Sequence, residues 1–199
     1  ADGVANVKIQ GRMDGYYSSG ARERLDDMDD DNEGPVMREV IGVFPEAVFT
    51  SRKIEDSENS YDPLKLTVEM EVPLGATGDD YIYVSPILIP ALTKGLADNE
   101  TRYTPIDWGY AWKERYIAKV KLPEGYAVEE LPESIRVSSE DRSIEYLFTS
   151  TEGEGEVSIN LTVEVARGKF EAVEYQGLRE IFQRILDVQE SMIVLKKVK

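Results

Sequence analysis

Neither cysteine nor histidine occurs among the 199 residues. Without a thiol or an imidazole, the chain has no Cys nucleophile, no Ser-His or Cys-His pair, no His general base and no Cys/His zinc site. A chain with no cysteine suits any redox compartment, so this count leaves the compartment open. A Gly-rich phosphate loop is missing as well, since Gly153 and Gly155 stand without the surrounding motif. No apolar run approaches the ~20 residues of a membrane span. The longest candidate, residues 81–92, contains Ser85, Pro86 and Pro90. No secretory signal opens the chain, so it is either cytosolic or cut from something longer. It enters a strand pattern almost at once, which favours the second reading.

Positive charge is scarce. There are 23 Lys and Arg against 39 Asp and Glu, a formal net charge of −16. Nucleic-acid affinity comes largely from cations that neutralise phosphates, so this balance argues against a nucleic-acid partner and against an anionic membrane surface. It favours solubility and, weakly, cations or basic partners.

What is present is a chain of alternating strands. Hydrophobic residues make up 41%, close to a globular average. A chain of this length buries roughly 70% of its unfolded surface and needs no staple. Val7 and Ile9 alternate with polar residues, predicting a strand over 4–13. Leu64, Leu66, Val68, Met70 and Val72 alternate with Lys65, Thr67, Glu69 and Glu71, the pattern of a half-buried antiparallel strand. Tyr116, Ala118, Val120 and Leu122 repeat it, as do Val157, Ile159, Leu161, Val163 and Val165. Shorter strands are predicted over 47–54, 81–85, 126–131, 135–138 and 144–149. Short helices are expected near residues 20–44: one over 21–28 capped by Ser19, and one over 36–44 ended by Pro45.

The period then changes. Leu178, Ile181, Phe182, Ile185, Val188 and Met192 follow helical spacing, predicting one amphipathic helix over 172–191. The fold class expected is therefore mainly β: antiparallel β-sandwich-like units with one C-terminal helix. We expect an N-terminal β-rich unit over 1–96 and a C-terminal sandwich with the helix over 97–199; one interleaved domain is the alternative.

Three features invite chemistry. The run from Asp26 to Gly34 is acidic, and EF-hand counting from Asp29 places Asp29, Asp31 and Glu33 as calcium ligands before the turn at Gly34. The pattern then fails, because the twelfth place holds Val40; a solvated loop is the expectation. The stretch 103–116 holds Tyr103, Trp108, Tyr110, Trp112 and Tyr116, including both tryptophans. Trp108, Tyr110 and Trp112 are candidates for a platform that binds a glycan or peptide, with Asp107, Lys113 and Glu114 as hydrogen-bond partners. The other reading is that the rings fill a sheet core or seam, where they bury large areas. Paired carboxylates suited to glycoside hydrolysis are not singled out by any spacing. No cofactor and no catalytic residue is expected in this chain.

A family resemblance adds to this reading. It is carried by Arg102-Tyr103-Thr104-Pro105-Ile106-Asp107-Trp108, Leu122-Pro123-Glu124-Gly125-Tyr126, Leu131-Pro132-Glu133, Tyr175-Gln176-Gly177-Leu178-Arg179 and Ile193-Val194-Leu195-Lys196-Lys197. Gly15-Tyr16, Ala21-Arg22 and Ile82-Tyr83-Val84-Ser85-Pro86 fit as well. Together these resemble the region that follows the catalytic core of bacterial transglutaminase-like proteins of the Bacteroides type. The resemblance implies a papain-like core elsewhere in the parent chain, holding the Cys, His and Asp that this segment does not supply. It also implies a periplasmic or cell-surface location. The expected function is a non-catalytic accessory domain packing on that core and helping to position a substrate or partner. A stand-alone glycan- or peptide-binding module is the alternative, and a scaffold that adds strands to a partner's sheet edge is a third.

Overall fold

The computed structural model describes residues 4–28, 48–59, 61–73, 80–85 and 96–198. It is mainly β, with antiparallel sheets and a C-terminal helix. The candidate calcium residues Asp29, Asp31 and Glu33, and the helix expected over 36–44, lie outside the described residues.

Seven strands form the main sheet. They are β1 (Val4–Met13), β2 (Val48–Glu55), β3 (Leu64–Pro73), β6 (Trp112–Lys121), β8 (Ile135–Ser138), β9 (Ile144–Gly153) and β10 (Glu156–Val165). Their order is β2-β3-β1-β6-β10-β9-β8, every neighbour antiparallel. β1 pairs with β6, so the sheet takes strands from both sides of the division expected between residues 96 and 97. Period-two alternation explains its two faces. Val7, Ile9, Leu66, Val68, Tyr116, Ala118, Ile159 and Leu161 are buried, while Lys8, Gln10, Lys65, Glu69 and Lys119 are exposed.

A second sheet has the order β4-β12-β7, from β4 (Tyr81–Val84), β12 (Ile193–Lys197) and β7 (Tyr126–Glu130). Val84, Ile193 and Leu195 add their side chains to the core that the main sheet begins. Two short strands, β5 (Ile106–Asp107) and β11 (Lys169–Phe170), pair with each other beside it.

The C-terminal helix differs in detail from the expectation. A 3-10 turn at Ala172–Glu174 leads into α2 (Tyr175–Glu190). Glu171 and Glu174 form a reciprocal capping box around the 3-10 turn. Tyr175, Leu178, Ile181, Phe182, Ile185 and Val188 are buried, as the spacing requires. Met192 is not on the helix: Ser191 is extended, the chain turns into β12, and Met192 is left 46% exposed. Polar side chains of the first turns fasten residues 96–100. The Tyr175 hydroxyl donates to the carbonyls of Leu96 and Asn99, and Arg179 Nε donates to that of Ala97. None of the described helices is long and apolar enough to cross a membrane.

The first helix, α1 (Gly15–Asp26), starts six residues earlier than expected. Its cap is Asp14, whose carboxylate accepts from Gly15 N–H, rather than Ser19. Ser18 lies inside the helix, donates to the Gly15 carbonyl and accepts from Arg22. Arg22 is buried and spreads its remaining N–H groups over the β2–β3 connection. They reach the carbonyls of Asp56 (3.0 Å), Ser57 (3.1 Å), Asn59 (3.0 Å) and Asp62 (2.5 Å). The planar five-donor guanidinium suits this convergence, and an ammonium does not.

Candidate functional site

A hollow of about 510 Å3 lies between α2 and the β8–β9 turn. Its floor is apolar, from Val137, Leu178 and Ile181, and its walls carry Arg167, Arg184 and four carboxylates. Arg167 follows the end of β10, at the point where the Ala166 N–H donates to the Ser143 carbonyl. That bond brings Arg167 beside the β8–β9 turn, where it pairs with Asp141 at 3.2 Å. On its other side it pairs with Glu174 of the capping box, and its guanidinium lies 4.1 Å from the Phe170 ring centroid. One cation thus joins a hairpin turn, a helix start and an aromatic ring.

The chemistry open to this hollow is limited. Asp141 accepts from the hydroxyl and N–H of Ser143 and from the Ser139 hydroxyl, with Arg167 beyond; these hold its carboxyl well below the usual carboxylate range. A carboxylate so stabilised is a poor proton acceptor, and among the described residues no other base is hydrogen-bonded to the two serines beside it. Glu174 is held low chiefly by its bond to Arg167. No group of three or more acidic side chains among the described residues is placed to hold a metal ion. The hollow can bind a polar ligand, but it does not assemble a nucleophile with a base.

None of the sequence candidates Trp108, Tyr110 and Trp112 lines this hollow. Trp108 meets Trp112, Phe170 and Phe182 edge-on, at centroid distances of 6.4, 5.5 and 6.3 Å. This is the geometry by which aromatic rings pack a seam. Both tryptophans are partly buried against the core, whereas Tyr110 is 36% exposed and Tyr103 is 90% exposed. The polar residues proposed to assist them are engaged elsewhere. Asp107 accepts from Gly109 N–H, Lys113 pairs with Glu164, and Glu114 is buried, on the face of β6 opposite Lys113.

The seam depends on a close backbone crossing. Trp108 N–H donates to the Gly168 carbonyl at 2.7 Å. A Cβ at Gly168 would lie 2.5 Å from the Tyr110 nitrogen and 2.8 Å from the Gly109 carbonyl carbon. Both are backbone atoms and cannot rotate away. Gly168→Ala is therefore expected to cost about 1–3 kcal/mol, the range for overpacking, and to shift the emission of Trp108. Urea unfolding followed by tryptophan fluorescence checks both; unchanged stability and emission would refute the crossing's role.

Glu114 was not recognised as a buried acid, although the signal was there. Extending the inward phase of Tyr116, Ala118 and Val120 back by two residues lands on it. It is 8% exposed, faces Met13 and Val163 across the sheet, and has no hydrogen bond from any described residue. Burial raises its pKa to about 7. The crevice it lines, with Ile9, Gly11 and Leu66 among others, has about 10 Å3 of free space, near the minimum for one water molecule. A near-neutral carboxyl is suited to proton transfer, but this crevice has no room for a substrate.

Comparison with known proteins places this fold. A family model described as a domain of unknown function with a solved structure, DUF3858, matches residues 80–195, from just before β4 through most of β12. No curated protein matches the chain. Among solved structures, one described as that of "a putative protease" from Parabacteroides distasonis ATCC 8503 aligns with a TM-score of 0.50 at 15% identity. The alignment covers 60% of this chain and 24% of that one, so the likeness is one of fold and spans about a quarter of the other protein. With more than half of its residues matched by the family model, the chain belongs to the DUF3858 family.

Proposed function

We propose that this chain is a non-catalytic accessory region of a transglutaminase-like protein of the bacterial envelope. In this reading it packs against a papain-like core of the same parent chain and helps to position that core's substrate or partner. The observation that carries the reading is the chemistry of the hollow between α2 and the β8–β9 turn. Its serines donate to a carboxylate held strongly acidic, and no imidazole or thiol exists anywhere in the chain to activate a nucleophile. The fold neighbour, in which a similar unit makes up about a quarter of a longer chain, is consistent with an accessory role. The glycan-platform alternative draws less support, because Trp108 and Trp112 meet the core edge-on instead of presenting a common flat face.

The test is an assay of the isolated chain against peptide amides, with and without a primary amine acceptor. No turnover above buffer is expected for hydrolysis or transamidation. Clear turnover by this chain alone would end the accessory reading, as would a parent gene encoding no Cys-His-Asp core.

A further inference from the structure

The outer face of the main sheet carries a row of like charges. In the antiparallel register Arg12 on β1 stands opposite both Lys65 on β3 and Arg115 on β6. Three cations therefore lie side by side over three adjacent strands, spanning about 10 Å at the usual strand spacing. Further along β1, Lys8 stands opposite Lys119. Facing like charges destabilise a sheet, and the chain as a whole is strongly acidic, so this row does not reflect average composition.

The two sets of cations differ in how they are balanced. Lys8 is paired with Glu69 and Lys119 with Glu156, so that pair is neutralised within the fold. In the three-cation row Arg12 reaches Asp14 at 3.4 Å and Lys65 reaches Asp56 at 3.0 Å. The Arg115 side chain is exposed and has neither an ion pair nor a hydrogen bond among the described residues. Glu55, opposite Lys65, is held by Lys53. Between these strands is a hollow of about 240 Å3, lined by the three cations together with Gln10, Thr67 and Glu55, the last of which is paired with Lys53. Cations, an amide and a hydroxyl around one concavity make a receptor for acceptor oxygens.

We propose that the hollow bounded by Arg12, Lys65 and Arg115 docks the carboxylates of an extended acidic polypeptide segment of a partner. Side chains on one face of an extended chain repeat every ~7 Å, so two carboxylates at alternate positions fit within the row. The surrounding acids select against a polyphosphate. Asp14, Asp56 and Glu55 rim the row, and Glu69 and Glu156 lie further along the same face. Continuous phosphate charge meets these acids, whereas spaced carboxylates avoid them. This proposal does not depend on the accessory reading above.

The test titrates the intact chain with a fluorescent peptide of alternating Glu and Ser, and with a Gln-Ser control, at low and moderate salt. The Glu peptide is expected to bind at low salt and weaken as salt rises, and the Gln peptide not to bind. Arg115→Glu is expected to weaken binding by about tenfold or more, with a Tm equal to or above that of the parent, because Arg12 then faces an acid. Arg136→Gln, on the edge strand β8, is expected to leave binding unchanged. No binding of the Glu peptide, equal binding by Arg115→Glu, or tighter binding of a single-stranded oligonucleotide or of anionic vesicles would each overturn the proposal.

Discussion

Glu114→Gln is expected to stabilise the folded chain by about 3 kcal/mol at pH 8 and to change little at pH 4. Burial lifts this carboxyl from its usual 4.5 to about 7, so the folded state holds the proton more tightly than the unfolded state. The stability tied to Glu114 is therefore complete below pH 4.5. It falls as pH rises toward 7 and stays lost above it. Glutamine keeps the shape of the protonated acid and never ionises, so the variant retains that stability. Other carboxylates run the opposite way. Glu69, Asp141 and Glu174 are held low by Lys8, by Ser143 and by Arg167 respectively, so their contributions are present at neutral pH and lost in acid. The difference between parent and variant removes those common contributions. Urea unfolding of both proteins at pH 4, 6 and 8 measures it directly. Parallel stability curves would show that Glu114 is not desolvated as the fold places it.

The second large effect is at Arg22. Arg22→Met is expected to cost about 3 kcal/mol or more, in the range for breaking a buried charged network. The methionine fills part of the volume but removes the Arg22 donors from the carbonyls of Asp56, Ser57, Asn59 and Asp62, of which that of Asn59 keeps the Asp62 N–H. Carbonyls that lose a donor beside a buried side chain carry part of the desolvation penalty. Arg22→Lys is expected to recover only a minority of the loss, because three donors on one nitrogen cannot match a planar fork. The urea midpoint of the three proteins ranks them. A Lys variant as stable as the parent would mean that charge, and not the arrangement of donors, holds α1 to the β2–β3 connection.

Strand alternation made much of this fold legible in advance. β1 and β8 occur over the residues that the pattern named, and β3 and β10 within a residue at most at either end, because one face of each is buried and the other is not. Signals that depend on distant partners were not legible. β12 is a run of Ile193, Val194 and Leu195 before two lysines, too short to alternate, and only pairing with β4 and β7 makes it a strand. β5 and β11 have two residues each and exist because the backbone crosses at Gly168. The start of α1 was misplaced because Ser19 and Asp14 both suit a cap, and the choice follows from Ser18 being bound to Arg22 within the helix. At the candidate site the aromatic run was visible, but its orientation was not. Arg167 carries no local motif, since one of its two acidic partners is 26 residues away.

The position of β12 has a consequence for biosynthesis. β4 and β7 flank it without touching each other in that sheet, so neither has its pairing partner until residues 193–197 have left the ribosome. The hairpin partners β9 and β10 emerge much earlier and can pair at once. Between the emergence of β7 and that of β12, a nascent chain thus carries two strands with unsatisfied edges, the kind of surface on which chaperones act.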